Sequence, residues 1–168
     1  LLMVLPYVLT LSVFAASAAE DEEFFLAKRA FDDGFFDVSL SQFDTFLTTY
    51  PQSAKAVSAR LYLARAYHHN GNYHDALLHL EILGKKTADP AYPEIIYWTG
   101  EVYFQGKDYH TARNYFTKVI DEYPQSPYAY YAHYSIAWCD FEEEAFESAL
   151  ERFNTLVQER PDGDLTID

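Results

Sequence analysis

The chain has 168 residues, enough for one domain with a substantial buried core. Its 26 acidic side chains against 12 basic ones give a formal net charge of -14. That excludes a broad basic surface, and with it nucleic-acid phosphate as a partner. Fifteen tyrosines and 13 phenylalanines beside only six glycines suit packed helices and argue against disorder.

Residues Leu1 to Ala19, LLMVLPYVLTLSVFAASAA, carry no charge, and the run ends in small residues just before Glu20-Asp21-Glu22-Glu23. This is the apolar core and cleavage site of a secretory signal peptide over residues 1–19, with cleavage expected after Ala18 or Ala19. It predicts an exported, periplasmic protein. A basic leading segment and an initial methionine are missing, so the sequence is expected to lack its first residues. The alternative is a retained membrane anchor, since these residues could just span a bilayer. Pro6 and the alanine-rich end favour removal, and no cysteine stands near the cleavage site to carry a lipid. Contact with a membrane is expected only through this segment.

From here the chain reads as pairs of amphipathic helices. A first pair is predicted over about 22–51, with the acidic run at its start and the turn at Gly34. A second covers 53–88, with Ser53 as N-cap, a turn at Asn70-Gly71-Asn72 and an end at Gly84. A third covers 91–124, its helices joined at Gly106-Lys107-Asp108 and closed by Pro124. A fourth covers 126–161, started by Ser126-Pro127. Residues 162–168 form a tail, and the native protein is expected to continue beyond it or to leave the last pair exposed.

The pairs repeat. The aromatics opening the second helices, Phe36, Tyr73, Tyr109 and Phe146, are 37, 36 and 37 residues apart. Three residues on stands a small residue (Ser39, Ala76, Ala112, Ala149), and four further a large apolar one (Phe43, Leu80, Phe116, Phe153). Nine residues before each aromatic is another small one: Ala27, Ala64, Gly100 and Ala137. Small residues at fixed places let helix backbones approach while the large ones fill the space between.

This register resembles the tetratricopeptide repeat over roughly Glu22 to Pro161. Gly100, Tyr103, Tyr109, Ala112, Phe116 and Pro124 match it in the third pair, and Ala64, Tyr67, Gly71, Tyr73 and Ala76 in the second. Departures are the slightly long period, Phe46, Leu83, Val119 and Leu156 where alanine is usual, Asp140 in place of a tyrosine and Glu144 in place of the turn glycine. The resemblance implies an all-α, right-handed α-solenoid of about four units. Tyr67, Tyr73, Tyr103, Tyr109 and Phe116 are expected to pack between helices. The stretch from Tyr123 to Ala129 also resembles bacterial envelope repeats, as in BamD-like assembly lipoproteins and Tol-Pal accessory proteins, which implies a scaffold role there.

Catalytic signatures are absent: there is no G-x-S-x-G, G-x-x-x-x-G-K-[ST] or G-x-G-x-x-G, so no enzyme and no cofactor is expected. His68, His69 and His74 straddle a turn, and the first two point about 100° apart on a helix, a poor metal geometry. Glu142-Glu143-Glu144 reads as a solvated face. Cys139, the sole cysteine, reads as a small buried hydrophobe.

In tetratricopeptide arrays the first helices line a concave groove. The resemblance carries groove positions onto Phe24, Phe25, Lys28 and Phe31, then Leu61, Tyr62, Arg65, His68 and His69. In the later pairs it selects Tyr97, Trp98, Glu101, Phe104 and Gln105, then Tyr131, Tyr134, Ser135, Trp138 and Phe141. Those expected to bind a protein or peptide are Tyr62, Arg65, Tyr97, Trp98, Glu101, Tyr131, Tyr134 and Trp138, because aromatic residues and arginine carry much interface energy. Packing explains each of them equally well. Lysine and asparagine do not dominate these places, which disfavours a clamp for a terminal carboxylate. A second expectation is self-association through an uncapped fourth unit, and a third is that the chain positions a catalytic part lying beyond Asp168.

Overall fold

The predicted register becomes helix pairs joined by one recurring turn. The computed structural model describes the backbone of residues 5–159 and the side chains of residues 17–159. Eight α-helices and no strand occur among the described residues: α1 (Leu5–Asp32), α2 (Phe36–Thr49), α3 (Ala56–His69), α4 (Tyr73–Gly84), α5 (Tyr92–Gln105), α6 (Tyr109–Glu122), α7 (Pro127–Glu142) and α8 (Phe146–Glu159). The chain divides into two compact units, residues 1–79 and 80–168, with the division inside α4.

Every turn within a pair is a Schellman motif, and its left-handed residue keeps the sequence period. Gly34 and Gly71 have φ of +79° and +73°, while Lys107 and Glu144 hold the same conformation at +62° and +61°. In each turn this residue donates its N–H three residues back, and the next donates five back, as Phe35 N does to the Ala30 carbonyl at 2.8 Å and Ala145 N to Asp140 at 2.8 Å. Gly106, inside the predicted third turn, is instead right-handed.

In the first unit α1 packs on α2 and α2 on α3. Ala27, Phe43, Phe46, Ala59 and Leu63 form its core, with Phe24, Leu40 and Tyr62 packed against it. The expectation that the first helix starts near Glu22 does not hold. Helix already runs through the alanine-rich stretch before Glu20, back to Leu5, the first described residue. The acidic residues therefore lie inside α1 and hold the approach to α3: Ser53 Oγ donates to Glu20 Oε1 at 2.5 Å, Tyr50 Oη to Glu23 at 3.0 Å, and Lys55 pairs with Asp21. Ser53 is not the N-cap of α3. Its hydroxyl accepts from Lys55 N at 2.9 Å, and Lys55 occupies the cap position.

In the second unit α6 packs between α5 and α7, α8 packs on α7, and α5 lies beside α7. Gly100 is the point of closest approach, because a Cβ there would stand 2.6 Å from the Phe116 ring. Ser126 caps α7 as expected, accepting from Tyr128 N at 3.2 Å with Pro127 in the first turn. Asp140, at the position where the repeat usually has a tyrosine, is buried and accepts from Arg113 of α6 at 2.6 Å and Arg152 of α8 at 2.7 Å. It ties three helices together where a ring would have filled space. Cys139 is fully buried, and burial pushes its thiol up to about 12.

The small residues of the register, Ala27, Ala64 and Ala137 before the turn and Ser39, Ala76, Ala112 and Ala149 after it, are all buried. So are Phe43, Leu80 and Phe116 among the large ones, whereas Phe153 is half-buried. The all-α, repeat-built fold class is thus the observed one. Among the described residues no helix is long and apolar enough to cross a membrane. Residues 1–4, the side chains of the apolar run up to residue 16, and the tail 162–168 with its expected continuation lie outside the described residues.

Candidate functional site

Two aromatic clusters hold the predicted binding residues, one in each unit. In the first, Tyr62 of α3 stacks on Phe43 (5.4 Å between ring centres, 6° between planes) and meets Phe31 and Phe24 edge-on. The Arg65 guanidinium lies 4.9 Å from the centre of Phe31 and 5.3 Å from that of Tyr62, and Lys28 lies 5.6 Å from Tyr62. Such cation–π contacts reward a cation that has given up water. Arg65 is buried, and Tyr62 is half-buried within the cluster. His69 stacks on Phe36 at 4.5 Å, and His68 meets Tyr73 at 5.8 Å. Burial, then the neighbouring His69 and Arg65, lower His68 to about 4, so it is a neutral packing ring at neutral pH. No group of His, Cys, Asp or Glu suited to a metal occurs among the described residues.

In the second unit α5 and α7 run side by side and flank a cavity of about 130 Å3 that is open to the surface. Tyr97, Glu101 and Phe104 of α5 line one side, and Tyr131, Tyr134, Ser135 and Trp138 of α7 the other. The rings stand at steep angles to one another: Tyr134 and Trp138 are 6.1 Å apart at 77°, and Tyr97 and Tyr131 6.2 Å apart at 54°. Phe153 of α8 braces Tyr134 and Trp138 from behind at 5.6 and 5.5 Å. At one wall the Ser135 hydroxyl donates to Glu101 Oε1 at 2.6 Å, and the Tyr97 hydroxyl lies 3.3 Å from Ser135 Oγ. Loss of water raises the Glu101 carboxyl above its ordinary value, against the lowering effect of the Ser135 and Tyr97 hydroxyls. Burial, then the Glu101 charge, raises Tyr97 well above the ordinary phenol value.

Five of the eight predicted binding residues therefore meet at this cavity: Tyr97, Glu101, Tyr131, Tyr134 and Trp138. Tyr62 and Arg65 belong to the first unit's cluster. Trp98 is the correction: it lines no part of the cavity, and this, not its burial (7% exposed against 4% for Tyr97), separates it from its neighbour. Adjacent helix positions differ by about 100°, and Tyr97 takes the cavity side. Of the rings expected to pack, Phe116 is fully buried. Tyr67, Tyr73, Tyr103 and Tyr109 are half-buried, with Tyr67 stacked on His79 and Tyr103 on Tyr115. Wider clefts of about 350 and 500 Å3 along α8 and beside the start of α7 contain none of the eight.

Two family models, each described as the tetratricopeptide repeat, match the chain over residues 26–93 and 94–126. No curated protein matches it. Among solved structures, it is similar to MamA of Desulfovibrio magneticus RS-1, from residue 41 of that protein to its end. The identity is 17%, with 86% of this chain and 78% of that chain covered and a TM-score of 0.68. It is also similar to the nearly identical TPR-like repeats of a kinesin light chain from Podosopora anserina (16%, 84% and 74%, TM-score 0.67). A third similar structure is the Rap conjugation gene regulator of plasmid pLS20 in complex with the Phr* peptide. Its identity is 14% and its TM-score 0.71, with 84% of this chain and 42% of that one covered. Likeness at these identities carries the fold alone. The repeating register, the recurring Schellman turns and the two family matches agree: the chain belongs to the tetratricopeptide repeat family.

Proposed function

We propose that this protein is an exported, non-catalytic scaffold of the bacterial cell envelope that binds a partner polypeptide at the α5–α7 face. The observation that carries this reading is the cavity itself. Simple packing would close the space between Tyr97, Tyr134 and Trp138, and here their rings surround an opening with a carboxylate at its wall. Half-buried tyrosine and tryptophan offer rigid area to a partner at little cost in side-chain entropy. The similar Rap regulator was solved with a peptide, which supports a polypeptide as the ligand class. The uncharged run at residues 1–19 supports export.

Photo-crosslinking in cells tests this, with p-benzoylphenylalanine placed at Tyr131, at Tyr134 or, as a control, at exposed Thr155 of α8. The expected result is one adduct, shared by the first two positions, absent from the third and recovered in the envelope fraction. Equal adducts at all three positions, or none at any, would overturn the binding reading. An adduct recovered from the cytoplasm would overturn the compartment.

A further inference from the structure

Resting on the reading that the α5–α7 face binds a polypeptide, we propose that its cavity receives the guanidinium of an arginine side chain from the partner. Four observations converge on a cation of this shape. The first is the lining: Tyr97, Tyr131, Tyr134 and Trp138 present rings at steep mutual angles around about 130 Å3. Ring faces are electrostatically negative, so such a box favours a cation. The second is Glu101. Its Oε1 takes a hydrogen bond from Ser135 at 2.6 Å, and none of the ion pairs of the described residues includes it. Glu101 is half-buried, so its carboxylate is partly withdrawn from water; an entering cation would match it, while an apolar side chain would strip the rest of its water. The raised Glu101 carboxyl is what such an unmatched site produces.

The third observation is internal. Glu101 occupies the register position that Arg65 holds one repeat earlier, just after the small residue Ala64 or Gly100. There the chain supplies its own guanidinium, over Phe31 and Tyr62. At that position the third repeat reverses the charge, and the rings around Glu101 come from other register positions: Tyr97, Tyr131, Tyr134 and Trp138 line the space beside it. The fourth is long-range: a net charge of -14 draws cationic segments toward the protein. Between the two cationic side chains, arginine fits better. Its planar group stacks on rings while hydrogen-bonding a carboxylate, and it sheds water more readily than an ammonium.

The test uses the fluorescence of Trp138 in a Trp98→Phe background, which leaves Trp138 as the sole tryptophan. The probes are blocked pentapeptides of four glycines around a central arginine, citrulline or lysine. Citrulline keeps the shape of arginine and removes its charge, so the comparison needs no further variant. Arginine is expected to bind about tenfold more tightly than citrulline and measurably more tightly than lysine. Glu101→Gln, whose amide oxygen can still accept from Ser135, is expected to erase the arginine–citrulline difference while circular dichroism stays helical. Equal binding of arginine and citrulline, or binding of neither, would overturn the proposal, and lysine binding as tightly as arginine would overturn the guanidinium. If the photo-crosslinks at Tyr131 and Tyr134 persist in any of these cases, the face binds a partner by other chemistry. If they are also absent, the binding reading fails with it.

Discussion

The two aromatic clusters are built from the same repeat and reach opposite states. In the first unit Arg65 and Lys28 lie over Phe31 and Tyr62, so the rings meet cations supplied by the chain itself. In the second, Glu101 stands at the register position of Arg65, and rings from different register positions, Tyr97, Tyr131, Tyr134 and Trp138, surround a cavity. A repeat fixes where side chains stand and leaves their charge open, so one helix pair can be sealed and another left receptive. The proposed binding role then makes a division of labour: charge at Arg65 serves stability, while burial works against charge at Glu101.

The largest effect is expected from copying the second unit's charge into the first. Arg65→Glu removes two cation–π contacts and buries an unmatched carboxylate among rings, and should cost about 3 kcal/mol in urea unfolding. A loss no larger than that of an exposed substitution would show that the first cluster does not depend on its cation.

Next is pH. His68, lowered to about 4 by burial, stabilises the fold fully above its unfolded value near 6.5. That contribution is lost as pH falls from about 6.5 toward 4, by roughly 2 kcal/mol after discount for partial exposure. Phenylalanine stands at the equivalent positions, Phe104 and Phe141. His68→Phe should therefore hold its stability through this window while the wild type loses it, as read by melting temperature at pH 7 and pH 4.5. Parallel losses would remove His68 from the account.

Glu101 has the opposite sign. Its carboxyl is raised, so the protonated form is favoured in the fold, and stability present below the unfolded value is lost as pH rises through the folded one. Glu101→Gln should consequently melt higher than the wild type at pH 7, with the gap closing near pH 4. A lower melting temperature at pH 7 would mean that the carboxylate is a structural partner and not a ligand for something else.

The smallest effect concerns the turns. The first unit uses Gly34 and Gly71 at the left-handed position, and the second uses Lys107 and Glu144. Glu144→Gly should stabilise by about 0.5–1 kcal/mol, because a side chain there carries left-handed strain. No gain would place the compensation in the greater freedom of glycine when unfolded.

Much of this was legible from spacing. Gly100 and Phe116 were readable as a close approach, because a small residue faces a large one at a fixed register, and a Cβ would indeed meet that ring. Tyr97, Glu101, Tyr134 and Trp138 were readable as one face only through the groove positions that the tetratricopeptide resemblance implies. Spacing could not decide between adjacent Tyr97 and Trp98, since the direction each takes depends on what packs behind it. Nor could it pair Asp140 with Arg113 and Arg152, which lie 27 and 12 residues away and meet it only once three helices are in place. The start of α1 was hidden for a different reason: a run of small residues before acidic ones reads as a processing site, yet it is also good helix-forming sequence.

The central claim, that one cluster is sealed and the other receptive, is tested most directly by aromatic and indole nuclear magnetic resonance during titration with the arginine pentapeptide. Signals of Trp138 and Tyr134 should shift progressively, while those of Phe31 and Tyr62 stay in place. Shifts of equal size in both clusters, or movement in neither, would contradict the claim.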